Sequence, residues 1–438
     1  MIHPLQEMMS RRRAGEKCGI PSYCSSNEFV IEAVLERAKN TGRPALIEAT
    51  ANQVNQSGGY TGMQPKDFVE FVLSAAMKLE VDRRLVILGG DHLGPLTWSS
   101  DPEPLAMEKA EELVRLYVLA GFTKIHLDTS MKLGDDPDDR VLETEVIARR
   151  GVRLYRASIE AYEQLIERQP EALRPVFVIG SEVPIPGGTR EKEEGILVTK
   201  PEDFEDTVST YDRIFKEEGF LKAWNDIIAV VVQPGVEFGD SQIFMYDRKK
   251  AGKLCGELKK HPEIVFEGHS TDYQSKERLK EMVEDGIAIL KVGPALTFGL
   301  RESLFAMSMI EKELVPEEKQ AYFKEVLDRV MQENPKNWIN HYHGNEKVVA
   351  FARKYSFSDR CRYYMGEREV TEAIGKLLDN LSKMEISMNL LHQYMPRQYE
   401  RIQAGDLTAE PHELVKDSIV EFMLDYEYAA YENTEHRR

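Results

Sequence analysis

The sequence of residues 85–95 is L-V-I-L-G-G-D-H-L-G-P, and this stretch decides the fold that we predict. Its first four residues form a short apolar run, which is typical of a strand buried in a parallel sheet. Gly89 and Gly90 allow the backbone to approach a neighbour closely, and Pro95 ends regular structure. We therefore expect Asp91 and His92 just beyond the carboxyl end of a strand, where α/β folds place their chemistry. A capping aspartate beside a packed histidine is the alternative interpretation.

The composition indicates a large globular protein whose charge excludes some partners. The chain has 438 residues, of which 42% are hydrophobic and 30% charged, and its formal net charge is −18. This acidity argues against nucleic acid or an anionic membrane as the main partner, although local cations can still bind a phosphorylated substrate. The four scattered cysteines show no metal-finger spacing, and we find neither a secretory signal nor an apolar run of about 18 residues. We therefore expect a cytoplasmic protein without membrane segments.

Eight apolar strands, each followed by helical sequence, are predicted up to residue 292. They lie near residues 19–23, 45–49, 85–88, 124–128, 175–180, 227–232, 263–266 and 287–292. Strict alternation implies parallel pairing, and eight units are what a closed (β/α)8 barrel requires. A doubly wound open sheet is the competing fold, but no G-x-G-x-x-G motif follows the first strand. We predict an α/β fold, with a (β/α)8 TIM barrel over residues 1–314 and a helical C-terminal extension over residues 315–438 that packs on the barrel or at a subunit interface.

The polar residues at the ends of the predicted strands form the candidate site, because these positions converge on one face of a barrel. They are Glu48, Asp91, His92, Asp128, Glu182, Gln233, His269, Asp272 and Lys291. Two histidines and a carboxylate from different strands predict a divalent metal site, which the amide oxygen of Gln233 would complete. His126 is set aside because it lies inside its strand.

Some of these residues also have purely structural interpretations. Glu182 could cap the next turn, Gln233 could bind backbone groups of the turn that follows it, and Lys291 could form an ion pair inside the barrel. Their joint occurrence at strand ends favours a functional site. The loop T-A-N-Q-V-N-Q-S-G-G-Y-T-G at residues 50–62, which includes Asn52, suits a polyhydroxylated ligand or is a long solvated turn.

Six motifs in order along the chain carry a family resemblance. They are G-G-D-H-L-G-P at Gly89, H-L-D-T-S-M at His126, G-S-E-V-P-I-P-G-G at Gly180, V-Q-P-G-V-E-F at Val232, E-G-H-S-T-D-Y-Q at Glu267 and L-K-V-G-P-A-L-T at Leu290, and D-R-C-R-Y-Y at Asp359 agrees with them. Over nearly its whole length, the chain resembles the Z-subunit family of tagatose-1,6-bisphosphate aldolase. No P-loop and no kinase loop set is present, so the sequence does not support a kinase activity.

More distantly, the motifs resemble the class II aldolases, which are zinc-dependent (β/α)8 barrels that cleave ketose bisphosphates. This resemblance implies that Asp91 transfers a proton, that His92 and His269 are metal ligands, and that Glu182 is a ligand or catalytic group near the metal. The departure is Gln233, which stands where class II aldolases have a histidine. The resemblance therefore implies a divalent metal ion, with zinc as the first expectation and manganese, nickel or magnesium as alternatives.

Two functions of different classes follow from the resemblance. The first is metal-dependent retro-aldol chemistry on a ketose or ketose phosphate, in which Asp91 takes the C4 hydroxyl proton and re-addition interconverts fructose and tagatose forms. The alternative is a non-catalytic Z subunit that stabilises and activates a class II aldolase catalytic subunit. We expect a homo-oligomer in either case. The expected substrate-binding residues are Glu48, Asn52, Asp128 and Asp272, with an anion subsite formed by Lys291, Gly293 and Thr297.

Overall fold

A computed structural model, which describes residues 2–183 and 196–431, shows a closed barrel of eight parallel strands. The strands are β1 (Ile20–Cys24), β2 (Ala45–Thr50), β3 (Val86–Leu93), β4 (Lys124–Leu127), β5 (Val176–Ile179), β6 (Ile227–Val232), β7 (Glu237–Phe238), β8 (Ile243–Phe244), β9 (Val265–Gly268) and β10 (Ile287–Val292). β7 and β8 form a small antiparallel hairpin outside the barrel, which the sequence did not predict. The other eight pair in chain order, and β1 closes the barrel by pairing with both β2 and β10. The predicted (β/α)8 fold is confirmed.

Helices cover the outside of the barrel and make up the C-terminal extension. Those as far as residue 314 are α1 (Pro4–Arg13), α2 (Glu28–Thr41), α3 (Pro65–Lys78), α4 (Glu103–Ala120), α5 (Thr144–Arg168), α6 (Pro201–Glu217), α7 (Arg248–Glu257), α8 (Lys276–Glu284) and α9 (Pro294–Leu314). The extension contains α10 (Phe323–Glu333), α11 (Glu346–Tyr355), α12 (Arg368–Ser382), α13 (Met388–Tyr394), α14 (Pro396–Ala404) and α15 (Pro411–Ala430). Among the described residues, no helix is both long and apolar enough to cross a bilayer.

The strand β3 extends further than the sequence predicts. It runs through Leu93, so Asp91 and His92 lie in its last residues rather than beyond its end. Between Gly90 and Leu93, β3 has one residue more than the facing segment of β4, and His92 has a φ of 47° in the left-handed region. A bulge of this kind re-aims side chains at the rim of a barrel. Glycine is required at Gly89, because a Cβ there would lie 2.6 Å from the Cγ of Glu48.

The end of the barrel at which the strands begin is filled with apolar side chains and closed by α1. Leu5, Met8 and Met9 of α1 belong to one buried cluster with inward-facing residues of the strands, among them Leu46 and Ile289. The side-chain amide of Gln6 also donates a hydrogen bond of 3.2 Å to the carbonyl of Asn225, just before β6. Because this end is closed, a ligand can enter the barrel only from the end where the strands finish.

The extension packs closely against the barrel through α15. Near the end of this helix, Glu427 accepts two hydrogen bonds from Arg37 on α2, at 2.8 and 2.9 Å. The carbonyl of Ala430 accepts a hydrogen bond of 2.8 Å from the amide of Gly19, next to β1. The hydroxyl of Tyr426 donates to the carbonyl of Thr271 at 2.8 Å, after β9. The extension therefore contacts both ends of the barrel wall and can place residues at its open mouth.

Candidate metal centre

Three histidine rings and one carboxylate meet near the carboxyl ends of β3, β4 and β9. One ligand atom from each of Asp91, His92, His126 and His269 lies within 4.8 Å of the others, and all four residues are buried. The ring centroid of His92 is 5.1 Å from that of His126 and 4.8 Å from that of His269, and the remaining pair is 5.1 Å apart. Imidazole nitrogens and carboxylate oxygens are the ligands of zinc and similar ions, so these four residues have the composition of a metal site.

Each imidazole is oriented by a carboxylate that contacts one of its two nitrogens. His92 Nδ1 lies 2.8 Å from Asp128 Oδ2, and His269 Nε2 lies 2.9 Å from Glu267 Oε1. His126 Nδ1 lies 2.9 Å from Asp91 Oδ1. In the tautomers that donate these hydrogen bonds, the lone pairs remain on His92 Nε2, His126 Nε2 and His269 Nδ1. The amide of His92, which lies 3.0 Å from Asp91 Oδ1 and 3.1 Å from His126 Nδ1, then donates to Asp91 Oδ1. Metal-binding histidines are commonly held by carboxylates in this way.

His126 Nε2 provides an independent indication that an ion fits here. This atom is buried and has no hydrogen-bond partner within the described part of the chain. A buried polar atom without a partner costs free energy, so its presence calls for a ligand such as a metal ion or a water molecule. The three imidazoles and Asp91 therefore suit a divalent ion both in their chemistry and in the atoms they leave available.

The electrostatics of the cluster keep its acids ionised. Burial favours the neutral form of Asp91, but His92, Lys291 and the hydrogen bond with His126 outweigh it, so the pKa of Asp91 lies well below its usual range. Burial has the same effect on Asp128, yet its contact with His92 lowers the pKa of Asp128 to about 2. Both carboxylates are therefore negatively charged at neutral pH and can accept hydrogen bonds or balance a cation.

The surroundings of His92 and His269 shift the pKa values of these two histidines in opposite directions. Burial disfavours the charged form of His92, but the charge of Asp91 and the contact with Asp128 outweigh it and raise the pKa of His92. For His269, burial outweighs the opposing effect of Glu267 and lowers its pKa to about 3. His269 is therefore neutral at physiological pH and has a lone pair available for an ion.

A buried layer of ion pairs lies directly beneath the histidines. The ammonium of Lys124 is 2.9 Å from Glu48 Oε1 and 2.7 Å from Glu267 Oε2, and all three side chains are 0% exposed. Lys291 contacts Glu48 and lies 2.9 Å from Asp91 Oδ1. Burial opposes its charge, but these acids raise the pKa of Lys291 well above its usual value. Because buried ions must be fully paired, this layer fixes Glu267 beneath His269 and Lys291 beside Asp91.

The structure brings together only part of the predicted ligand set. His92 and His269 lie side by side, but Glu182 is exposed and outside the group of potential ligands. The side-chain oxygen of Gln233 accepts hydrogen bonds from the amides of Gly235 at 2.8 Å and Val236 at 3.0 Å. Gln233 thus stabilises the turn after β6, as its structural interpretation suggested. The third imidazole comes instead from His126, which the sequence analysis set aside.

An open cavity of about 570 Å³ connects the cluster to the surface. Asn52, Asp272, Lys291, Gly293 and Thr297, all expected to bind substrate, line it together with Asp91, His92 and His269. Glu48 and Asp128 are buried instead, because Glu48 balances the lysines of the ionic layer and Asp128 holds His92.

The predicted anion subsite at the start of α9 already has internal partners. Asp272 Oδ1 accepts hydrogen bonds from the amides of Gly293 at 3.0 Å and Ala295 at 2.8 Å. Thr297 donates its hydroxyl proton to Asp359 Oδ2 at 2.7 Å. Burial raises the pKa of Asp272 to about 6 despite its backbone hydrogen bonds. A carboxylate of the protein thus occupies the helix N-terminus at which we expected a phosphate.

Two sequence signals could have identified the missed residues. Lys124, His126 and Asp128 alternate along an apolar strand, so their side chains share the inner face of the barrel. Glu267 and His269 have the same spacing. By contrast, Arg362 and Tyr363 of the extension also line the cavity, and no local pattern predicts their position.

Comparison with other proteins places the chain in a family. A family model described as D-tagatose-1,6-bisphosphate aldolase subunit GatZ/KbaZ-like matches residues 5–431. The aldolase subunit GatZ of Salmonella agona (strain SL483) is 42% identical over 424 residues, which cover 97% of this chain and 98% of that protein. GatZ of Escherichia coli O1:K1 / APEC is 43% identical over 428 residues, 98% of this chain and 100% of that one.

A solved structure shares the fold over nearly the whole chain. The crystal structure of a probable tagatose 6 phosphate kinase from Sinorhizobium meliloti 1021 is 40% identical, with a TM-score of 0.86. The similarity covers 94% of this chain and 100% of that one. These matches confirm the resemblance drawn from the six motifs. The chain belongs to the family of GatZ/KbaZ-like subunits of D-tagatose-1,6-bisphosphate aldolase.

Proposed function

We propose that the protein is a metal-dependent ketose 4-epimerase of carbohydrate metabolism, which interconverts fructose and tagatose forms by retro-aldol cleavage and re-addition. The observation that carries this proposal is the convergence of three carboxylate-oriented imidazoles and Asp91 in one cluster, of which Asp91, His92 and His269 line the open cavity. A barrel that served only as a scaffold would gain nothing from the buried, unpartnered Nε2 of His126. The arrangement therefore supports a catalytic role.

The three imidazoles would hold the ion, and their carboxylate partners would keep them in place. His92 and His126 would bind through Nε2 and His269 through Nδ1, since their other nitrogens already contact carboxylates. When bound, a divalent ion supplies polarisation of the ketose carbonyl and stabilisation of negative charge on the neighbouring oxygens. We expect zinc first, because the nitrogen-rich set suits it, with manganese, nickel or magnesium as alternatives.

Asp91 is the proton acceptor in this proposal. Its carboxylate lines the cavity and can take the proton of the C4 hydroxyl as the C3–C4 bond breaks and the bonding electrons pass to the C3 fragment. After the aldehyde fragment presents its other face, C3 attacks the aldehyde carbon and Asp91 returns the proton to the C4 oxygen. Lys291, 2.9 Å from Asp91 Oδ1, holds the carboxylate in place. The reaction needs no oxidant or reductant.

A second candidate function is that of a supporting subunit. The relatives from Salmonella and Escherichia coli are named as subunits of an aldolase, which suggests a class II catalytic subunit as a partner of this chain too. One surface of α11 favours this reading, because Val348 is 50% and Phe351 61% exposed. Apolar residues grouped on one exposed helix are typical of an interaction surface. A homo-oligomer formed through the same helix is a further proposal.

The two candidates are separated by assaying the protein alone. Chelator-treated protein would be dialysed, supplied with Zn²⁺, Mn²⁺, Ni²⁺ or Mg²⁺, and incubated with D-fructose 6-phosphate or D-tagatose 1,6-bisphosphate. We expect metal-dependent formation of the C4 epimer of fructose 6-phosphate, and none in the metal-free control. If no metal supports turnover, while the protein raises the activity of an added class II aldolase subunit, the supporting role is correct and the epimerase proposal fails.

A further inference from the structure

The extension contributes a cationic side chain to the cavity. The short 3-10 helix Arg360–Tyr364 follows α11 and reaches the open mouth of the barrel, where Arg362 and Tyr363 join the cavity wall. Tyr60, in the loop after β2, also lines the cavity and contacts the extension there, since its ring centroid is 4.8 Å from that of Tyr363. The barrel alone therefore does not form the complete cavity, because part of its wall belongs to the extension.

Arg362 differs from the other cation in this cavity wall. Lys291 is neutralised by Glu48 and Asp91. Arg362 forms no ion pair with any carboxylate in the described parts of the chain. One of its terminal nitrogens, Nη1, donates to the backbone carbonyls of Ser358 and Asp359, and the other, Nη2, donates to the hydroxyl of Tyr363 at 2.9 Å. In a protein with a net charge of −18, an unneutralised guanidinium in a cavity wall stands out.

The contacts of Arg362 hold it without exhausting its donors. A guanidinium has five N–H groups, and three of them make the hydrogen bonds described above. The N–H of Nε and the second N–H of Nη2 have no acceptor among residues 2–183 and 196–431. The guanidinium also lies over the ring of Tyr363, 4.4 Å from its centroid. A planar cation that is fixed in position in the cavity wall and has two free N–H donors is suited to bind a phosphate group.

We propose that Arg362 binds the phosphate of a ketose phosphate whose carbonyl end lies at the histidine cluster, so that the helical extension sets the substrate class. The inference rests on the proposed function for the position of the sugar. It replaces the anion subsite expected at the start of α9, where Asp272 already accepts the hydrogen bonds of Gly293 and Ala295. Without Arg362, the affinity for a free ketose should not change. The affinity for a phosphorylated ketose should fall, because Arg362 is the only cation in the described cavity wall that no carboxylate neutralises.

The test compares phosphorylated and free sugar in an arginine variant. Calorimetric titration of the metal-loaded protein with D-fructose 6-phosphate and with D-fructose would be performed on wild type, Arg362→Gln and Arg397→Gln. Arg397 is a matched control, since it lies in the same extension, is 74% exposed and pairs with Glu421. Arg362→Gln should raise the Kd for fructose 6-phosphate about 10–100-fold and leave that for fructose within about twofold, because one charge-assisted contact is lost. Arg397→Gln should change neither.

The inference would be overturned if Arg362→Gln raised the Kd equally for both sugars, or if it left the Kd for fructose 6-phosphate unchanged. Arg362→Lys is a second variant for the case in which the glutamine variant does not fold. Lysine keeps the positive charge but lacks the planar guanidinium with its paired N–H donors, so we expect weaker binding of the phosphorylated sugar alone. An equal effect of this variant on both sugars would likewise be contradictory. If wild type shows no turnover but Arg362→Gln raises the Kd for fructose 6-phosphate alone, the epimerase proposal fails and the assignment of Arg362 stands. If wild type epimerises both sugars and Arg362→Gln changes neither affinity, only the assignment fails.

Discussion

The substitution Asp128→Asn should weaken metal binding without unfolding the barrel. Asp128 Oδ2 lies 2.8 Å from His92 Nδ1, and its Oδ1 accepts hydrogen bonds from the amide of Ser130 at 3.1 Å and the hydroxyl of Ser130 at 2.7 Å. An asparagine can keep both Ser130 contacts through its carbonyl oxygen, and its NH₂ group then faces His92. The imidazole must accept that hydrogen bond at Nδ1 and carry its proton on Nε2, the nitrogen that the ion needs.

The magnitude follows from the pKa of Asp128. Burial alone would raise this pKa, but the hydrogen bond and the charge of His92, together with His126 and Ser130, outweigh it and lower the pKa from 3.8 to about 2. A net change of this size corresponds to roughly 2–3 kcal/mol in favour of the carboxylate, and His92 is the largest of the favourable contributors. We therefore expect the affinity for zinc to fall by about 10–100-fold, the range typical for loss of a carboxylate that orients a metal-binding histidine.

The assay is equilibrium dialysis against a series of zinc–chelator buffers, with bound zinc counted by mass spectrometry. Asp139→Asn is a matched control, since Asp139 carries the same charge on the same segment between β4 and α5 and is exposed. Melting temperature would verify that both variants fold. Wild-type zinc affinity in a folded Asp128→Asn protein would refute the reasoning, because His92 would then not bind the ion through Nε2.

Three further predictions concern the centre and its scaffold. His126→Ala should reduce zinc affinity more than Asp128→Asn does, because it removes a ligand rather than the partner of one; unchanged zinc content after dialysis would exclude His126 as a ligand. Burial lowers the pKa of His3 from 6.5 to about 4, so the unfolded chain binds a proton here at a higher pH than the folded chain does. Between pH 7 and pH 4, wild type should therefore lose about 3 kcal/mol more unfolding free energy than His3→Asn, measured by denaturant titration, and parallel pH profiles would disprove this. Gly94→Ala should lower the unfolding free energy by about 1–3 kcal/mol or more, because the new Cβ would lie 1.7 Å from the carbonyl oxygen of Asp128. Gly375→Ala, on an exposed position of α12 with nothing within 4 Å of the new Cβ, should raise it by about 0.5–1 kcal/mol, and equal effects of the two substitutions would contradict the packing argument.

The barrel could be predicted from the sequence because the apolar runs of its strands are local signals. Each strand is buried on both faces and separated from the next by a helix, so the alternation is visible without knowledge of contacts. The same rule brought Asp91, His92 and His269 to one end of the barrel. The position of Asp91 and His92 inside β3 was missed, because the bulge after Gly90 depends on pairing with β4.

The rest of the site depends on interactions that the sequence does not display locally. Gln233 has a side chain that can serve a metal or a turn, and the amides of Gly235 and Val236 are the partners that the fold provides. His126 was set aside for lying inside a strand, although its alternation with Lys124 pointed to the barrel interior. Arg362 reaches the cavity only because the extension packs back on the barrel, which is a long-range consequence of tertiary structure.

The most direct test of the central claim is to measure epimerisation and metal content together in Asp91→Asn. Purified wild type and variant, each loaded in turn with Zn²⁺, Mn²⁺, Ni²⁺ or Mg²⁺, would be incubated alone with D-fructose 6-phosphate, and formation of tagatose 6-phosphate would be followed by NMR. We predict turnover by wild type and a loss of about 10²–10⁴-fold in the variant, because the amide keeps the shape of Asp91 but cannot accept the C4 proton. Both proteins are compared at saturating metal, since the variant also loses the contact that Asp91 makes with His126 Nδ1. Equal turnover by both proteins, or none by wild type with any of the four metals, would contradict the account.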